Sequence, residues 1–360
     1  MLEGLPYVEE RESALEALQR LEGAGLTMAP VRRDGGGLAG VLRLRPARDA
    51  LAGASHPDRL TAGVLATGER PLEPSDDLEH AQAALSERRT ASLPVVDGGE
   101  PVGIVTTPQV TMGLETEREL GPLIGSVIRD ISPADEMFAA GRNRTSYMWV
   151  AASALACVRH ALEAAGTSPV RSVLDFGCGH GRVLRVLKAA FPDASLTASD
   201  IDPGAVEFCA STFGAAPVLS TFDPRQVRME GSFDLVWAGS VFTHLDRERF
   251  TGFLTVLGSL LAPGGVLVLT VPGNGVADDL RRNDPIYRLT PEQTEELLRG
   301  RERDGFAYVE YEPGRRYGHA LVIADWVRDA VASAGGLRLL DYREAAWGSR
   351  QDVVACVEAS

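Results

Sequence analysis

Apolar positions recur along this chain first at a helical period and then at strand spacing, and that order is written twice. Over residues 12–21, Leu15, Leu18 and Leu21 fall on one face of a helix. Met28-Ala-Pro-Val31 leads to glycines at 35–37, which turn the chain into an apolar strand at 38–44. The same signals then return: a helical pattern at 78–87, a strand at 92–97, the turn Gly98-Gly99 and a strand at 102–106. Two copies of one small α+β unit are therefore expected within residues 1–120. Gly121, Pro122, Gly125 and Pro133 interrupt the next stretch, so 121–145 reads as an interdomain connection. From 147 to 165 a long apolar helix is expected. Short apolar runs near 170–174, 195–199, 217–220, 233–240 and 266–271 then alternate with helical stretches, and strands at 337–342 and 352–357 close the chain. That alternation is the pattern of a doubly wound α/β sheet over 146–360.

Composition narrows the partners. The 360 residues carry a formal net charge of -14, and no long basic run interrupts it. An electrostatic grip on nucleic acid or on an anionic membrane is disfavoured, and a small-molecule substrate is expected. Cys157, Cys178, Cys209 and Cys356 are scattered, without a CxxC or a histidine at ligand spacing. No metal site is expected, and the pattern suits a reducing compartment. Residues 1–10 are acidic and lack an apolar core, and the longest apolar stretch, 148–158, is too short to span a bilayer. A cytoplasmic protein is expected.

The candidate chemistry begins where the first strand of the second half ends, in Asp175-Phe-Gly177-Cys-Gly179-His-Gly181 before a helix. Glycines at a strand–helix turn let a ligand approach bare backbone, next to the free N–H groups of a helix start. A dinucleotide fingerprint would need its third glycine at 182, which is Arg182, so a nicotinamide enzyme is disfavoured. Asp200 stands at the tip of the next strand, where an acid can accept hydrogen bonds from ribose hydroxyls. Asp202 before Pro203 is a helix-start signal. The fourth strand runs into Val241-Phe-Thr-His244-Leu.

The run VLDFGCGHGRVL resembles the first motif of class I S-adenosylmethionine (SAM)-dependent methyltransferases, and the later features come in that family's order through roughly 147–358. The resemblance implies a Rossmann-like sheet with SAM as cofactor. It implies that Asp175, Gly177 and Gly179 line the methionine end, that Asp200 meets the ribose, and that the segment at 241–245 faces the transferable methyl. Asp223 stands where many relatives bond the adenine amino group; a plain Asp-Pro turn explains it equally well. His244 is the first candidate general base and His319 the second. His319 lies in an inserted segment, 274–325, together with Tyr287, Tyr308, Tyr311 and Tyr317, which are candidates for an acceptor pocket. Relatives with SVFTHL often carry His-Gln-Asp near the last strand; here it is Arg350-Gln351-Asp352.

The first half resembles a tandem pair of cystathionine-β-synthase-type (CBS) domains, most clearly in SLPVVD followed by GIVTTPQV. That family's nucleotide pattern has a Thr or Ser and then an Asp after its glycine. The second copy keeps Thr106 but has Gln109, and the first has Arg43 and Pro46. A dimerising or regulatory module, and hence a homodimer, is the expectation. Together the halves imply SAM-dependent methylation of an oxygen or nitrogen on a small molecule. The alternative is a regulator that responds to SAM or an adenosyl nucleotide without transferring a methyl group.

Overall fold

The computed structural model describes residues 7–23, 27–139, 144–282, 287–314 and 316–359. They form two compact units, Met1–Leu114 and Glu115–Ser360. Part of the expected signal-free N-terminus (1–6) and part of the expected connection (140–143) lie outside the described residues.

The first unit contains β1 (Val8–Glu9), α1 (Ala14–Gly23), β2 (Met28–Arg32), β3 (Leu38–Arg43), α2 (Leu44–Gly53) and α3 (Ala62–Leu65). These are followed by α4 (Leu78–Glu87), β4 (Ser92–Asp97), β5 (Glu100–Thr106) and the start of α5 (Thr107–Leu120). The repeat is visible in strand register. β2 pairs antiparallel with β3 so that Val31 faces Gly40 and Met28 faces Arg43. β4 pairs with β5 so that Val95 faces Gly103 and Ser92 faces Thr106. The two glycines thus hold equivalent ladder positions. At Gly40 a β-carbon would lie 2.7 Å from the Thr67 carbonyl, so a side chain there would break the strand's outer contact.

The second unit adds α6 (Glu136–Ala139), α7 (Arg144–Ala165), β6 (Ser172–Phe176), α8 (Leu184–Ala190), β7 (Ser195–Asp200) and α9 (Pro203–Phe213). Next come β8 (Ala216–Leu219), β9 (Phe233–Ala238), α10 (Arg247–Ser259), β10 (Leu261–Val271), α11 (Asn274–Arg281) and α12 (Pro291–Asp304). The chain ends in β11 (Phe306–Glu310), β12 (Gly318–Val322), α13 (Ala324–Ala334), β13 (Leu337–Trp347) and β14 (Gln351–Glu358). Seven strands form one sheet in the order β13-β14-β10-β9-β6-β7-β8. The β6, β7, β8, β9 and β10 strands are parallel, and β14 runs antiparallel to both β10 and β13.

Both faces of the sheet are covered. Leu155, Val158, Leu184, Leu187 and Phe213 pack on one side, and Phe250, Phe253, Leu257, Val327 and Val331 on the other. A parallel sheet buried on two faces needs apolar side chains in both directions, which is why its strands read as continuous apolar runs. The fold is the Rossmann-like α/β architecture expected from the alternation. Strand order reverses between β6 and β9, so the loops after these strands diverge and leave a crevice at their carboxyl ends.

Two regions differ from their simplest reading. The stretch from 120 to 139 is not a bare connection: Leu120 and Val127 are buried, and the fully buried Arg185 donates to Ile128 O (2.9 Å) and Asp130 O (3.0 Å). The inserted segment has its own small core of Val276, Leu280, Leu297, Val309 and Leu321 beneath the β11–β12 hairpin. Its α12 begins with a reciprocal capping box between Thr290 and Gln293, which closes two orphan N–H groups. Among the described residues, no helix is long and apolar enough to cross a membrane.

Candidate active site

A cavity of ≈ 580 Å³ opens at the carboxyl ends of β6, β7, β8 and β9, as a strand-order reversal requires. Its walls include Asp175, Gly177, Gly179, Asp200 and His244, so five of the seven expected site residues meet there. The other two, Asp223 and His319, do not line it.

The glycine loop is shaped by close approach. Gly177 has φ +76, and a β-carbon there would sit 2.3 Å from Val241 Cγ2. Only glycine meets both demands. Gly177 N–H donates to Ser199 O at 2.7 Å, and Gly179 N–H donates to Asp200 Oδ2 at 2.8 Å. Asp200 also accepts from Asp202 N–H at 3.0 Å. Its carboxylate therefore braces the loop while part of it still faces the cavity. Asp202 caps α9 by accepting from Gly204 N–H at 2.8 Å.

Asp175 is 1% exposed, and its Oδ2 has no hydrogen-bond partner. Burial pushes its pKa up to about 8, and repulsion from Asp200 adds to this; the Arg182 charge and a backbone bond from Leu184 oppose them. A buried carboxyl beside a second carboxylate, with an unused oxygen, is suited to a cationic ligand group.

His244 ends a short turn after β9. Its Nδ1–H donates to Gly318 O at 2.8 Å. That bond fixes the tautomer and leaves the lone pair on Nε2. Burial lowers its pKa; the Gly318 bond opposes this in part, and the Arg249 charge adds a smaller lowering. Tyr317 stacks on the ring, with centroids 4.6 Å apart.

His319 is 2% exposed and donates from Nδ1 to its neighbour's carbonyl, Ala320 O, at 2.6 Å. Its ring meets Tyr287 edge-on, and burial pushes its pKa down to about 4. It packs against the insert and does not line the cavity. Asp223 accepts from Arg225 N–H at 3.0 Å and pairs with the Arg225 guanidinium, the contacts of an Asp-Pro turn. The cavity edge at this point is Ser220, Thr221 and Phe222.

Of the insert's tyrosines, Tyr317 alone lines the cavity. Tyr311 packs behind it, Tyr308 OH accepts from Arg249, and Tyr287 OH donates to Asp279. Several lining groups have no local sequence signal: Ala134–Met137 on one wall, and Trp237 and Trp347, packed edge to face, on another. Gln351 closes a further ring of bonds. Ser240 N–H donates to Thr270 Oγ1 (2.7 Å), Thr270 to Gln351 Oε1 (2.6 Å), and Gln351 Nε2 to Ser240 Oγ (3.1 Å). This ring holds Ser240 at φ +63 on the cavity wall.

Comparison with known proteins agrees with this architecture. A methyltransferase-domain family model matches residues 174–267, and a CBS-domain model matches residues 70–110. A malonyl-[acyl-carrier protein] O-methyltransferase of Anoxybacillus flavithermus is 29% identical over 39% of this chain and 53% of its own length. A trans-aconitate 2-methyltransferase of Methylobacterium radiotolerans is 32% identical over 29% of this chain and 39% of its own length. The chain thus spans about half or less of these curated relatives. Among solved structures, a S-adenosylmethionine-dependent methyltransferase from Clostridium acetobutylicum is 13% identical, covering 63% of this chain and 96% of that one with a TM-score of 0.42. The protein joins a methyltransferase-type domain to an N-terminal CBS-type region.

Proposed function

We propose that the second unit transfers a methyl group from SAM to an oxygen or nitrogen of a small-molecule acceptor. The observation that carries this reading is the meeting, in one cavity, of the Asp175 carboxyl with its unused oxygen, the glycine loop and the Asp200 carboxylate. These groups fit the cofactor's chemistry. Asp175 would take the methionine ammonium, the bare backbone at 177–179 would admit the methionine chain, and Asp200 would accept from the ribose hydroxyls. When bound, SAM supplies an electrophilic methyl on a sulfonium centre.

The chain's own residues do the rest. The walls formed by Trp237, Trp347 and Phe253 exclude water and hold the acceptor in line. His244, neutral and bonded through Nδ1, accepts the acceptor's proton at Nε2. A malonyl-[acyl-carrier protein] O-methyltransferase among the relatives supports oxygen as the acceptor atom.

The same reading divides the chain into a tandem CBS-type pair at 1–120, a transferase at 146–360 and a connecting stretch at 121–145 whose residues 134–137 also wall the cavity. In the first unit, Gln109 Oε1 accepts from the Thr106 N–H and hydroxyl, and Arg43 is paired with Glu69. Positions that would meet a nucleotide are engaged within the unit, which favours a dimerising role over sensing. Calorimetric titration with S-adenosylhomocysteine tests the core of the proposal. One-site binding that collapses in Asp200→Ala is expected; binding indifferent to that substitution would refute it.

A further inference from the structure

We infer that Arg185 and Tyr147, neither of which lines the cavity, are positioning residues for cofactor binding. They clamp residues 128–137 as a strap beside the glycine loop, and the strap is a wall of the pocket that SAM fills. This rests on the methyl-transfer reading above and adds a part to its binding site.

The strap has no ladder of its own. Residues 128–132 belong to neither helix nor strand, so their buried carbonyls need partners from elsewhere. Arg185, on α8, supplies them. It is fully buried, and its Nη1 donates to Ile128 O (2.9 Å) and Asp130 O (3.0 Å). Its Nε donates to Gly181 O at 3.2 Å, the last glycine of the loop, and its Nη2 to the Tyr147 hydroxyl at 3.4 Å. Loop and strap therefore hang on one planar fork, whose fixed geometry sets the distance between them. An apolar side chain of like size would avoid the cost of desolvating a cation, yet it could bond none of these oxygens.

Tyr147 carries the clamp to the cavity. Its buried hydroxyl accepts from Arg185 and donates to Asp135 Oδ2 at 2.7 Å. Burial pushes its pKa well above the usual phenol range; the Arg185 charge opposes this and the Asp135 bond adds to it. The hydroxyl thus stays a donor at neutral pH. Asp135 is 4% exposed and lines the cavity, and its Oδ1 accepts from Met137 N–H at 2.9 Å. Phe138 meets the Tyr147 ring edge-on, with centroids 5.5 Å apart. Ala134, Asp135, Glu136 and Met137 all line the cavity as a result. A series of bonds that begins at the glycine loop ends in the wall beside it. A ligand lying on the bare backbone of that loop must fit the slot these bonds define, and a loosened support would widen it.

The test uses the full chain and S-adenosylhomocysteine. In the wild type, bound ligand should slow amide exchange over residues 130–138, read by mass spectrometry, because a wall in contact with ligand opens less often. Tyr147→Phe keeps the ring and removes only the hydroxyl between Arg185 and Asp135. It should weaken calorimetric binding about tenfold, the weight of one hydrogen bond to a charged group. Arg185→Lys keeps the charge, loses the fork and should weaken binding at least as much; where it fails to fold, Tyr147→Phe decides alone. Val158→Ala, a buried change on the same helix, is the control for stability: its thermal midpoint should fall with affinity unchanged. Wild-type exchange indifferent to the ligand, or wild-type affinity in folded Tyr147→Phe or Arg185→Lys, would overturn the assignment while the cofactor site stands. Equal loss of affinity in Val158→Ala would overturn it too, by reducing the effect to stability. Failure of the wild-type chain to bind S-adenosylhomocysteine is a different result, and it removes the methyl-transfer reading beneath it.

Discussion

Asp175 and His319 are both buried titratable groups, yet they couple the fold to pH with opposite sign. Asp175 has a folded pKa of about 8, above its unfolded value. The folded chain keeps a proton that the unfolded chain releases, so stability is full below about pH 4 and declines as the pH rises toward 8. Asp175→Asn keeps the shape and removes the titration. Thermal midpoints of mutant and wild type should diverge in the mutant's favour between pH 5 and 8 (roughly the window set by those two pKa values), and parallel curves would contradict this origin. Ligand binding should reverse the burden. If the cofactor's ammonium meets the ionised carboxylate, S-adenosylhomocysteine binding releases close to one proton near neutral pH, measurable by calorimetry in buffers of different ionisation enthalpy and absent in Asp175→Asn. His319 has a folded pKa of about 4, below its unfolded value, so it is neutral in the fold. Its contribution is present above the unfolded pKa and lost as the pH falls toward 4, by roughly 3 kcal/mol at most for a shift of this size. His319→Asn should flatten that acid limb and leave methyl transfer intact. His244→Gln should instead lower kcat by about 10²–10⁴-fold with cofactor affinity unchanged, as loss of a base requires.

At the level of elements, the turn after β9 and the edge of β12 work as one piece, and Arg249 on α10 holds them. It bonds Arg316 O, one residue before Tyr317, while His244 bonds Gly318 O, one residue after it. Arg249→Met should therefore lower kcat about 10- to 100-fold, on the order expected when a catalytic group is misplaced by about an ångström. It should also raise the kinetic pKa of His244, because a neighbouring cation is lost. Tyr311 and Tyr317, which also face that ring, and His319, which interacts with it electrostatically, carry no compensating charge at neutral pH. A fall in kcat with an unmoved pH profile would mean that Arg249 acts only on stability. The elements differ in how far the sequence announces them. The glycine loop, Asp200 and His244 are legible because each is a local signal: a glycine spacing, an acid at a strand tip, a polar turn after an apolar run. Tyr317 and His319 are not distinguishable in that way. All five residues of β12 are buried, so no polar alternation marks which face meets the cavity. Met137 escapes notice for a different reason: Gly and Pro dominate the segment before it, and its place in the cavity wall depends on Arg185 gripping backbone carbonyls at 128 and 130. Trp347 arrives through β13, whose register shifts between Arg343 and Trp347 cannot be read from propensity.

The whole molecule raises a question of separability. The cavity's lining residues all fall between Ala134 and Trp347, within the unit Glu115–Ser360. The first unit has its own core around Val8, Leu18, Val31 and Leu42, and another around Leu85, Leu93, Val95 and Val110. Neither set includes a residue of the candidate site. If the first unit serves assembly, removing it should change mass and leave the site alone. A chain of residues 115–360 should bind S-adenosylhomocysteine within about twofold of the full chain, the scale of context effects on a single site. In light scattering the full chain should run as a dimer and the shortened one as a monomer. Equal masses for the two would deny the first unit an assembling role. A large loss of affinity on removing it, with the remaining unit still folded, would instead make it part of the catalytic device and revive the regulatory reading. The engaged Thr106–Gln109 and Arg43–Glu69 pairs argue for the first outcome, because a sensor must leave its ligand positions open, and these are closed by the unit's own side chains.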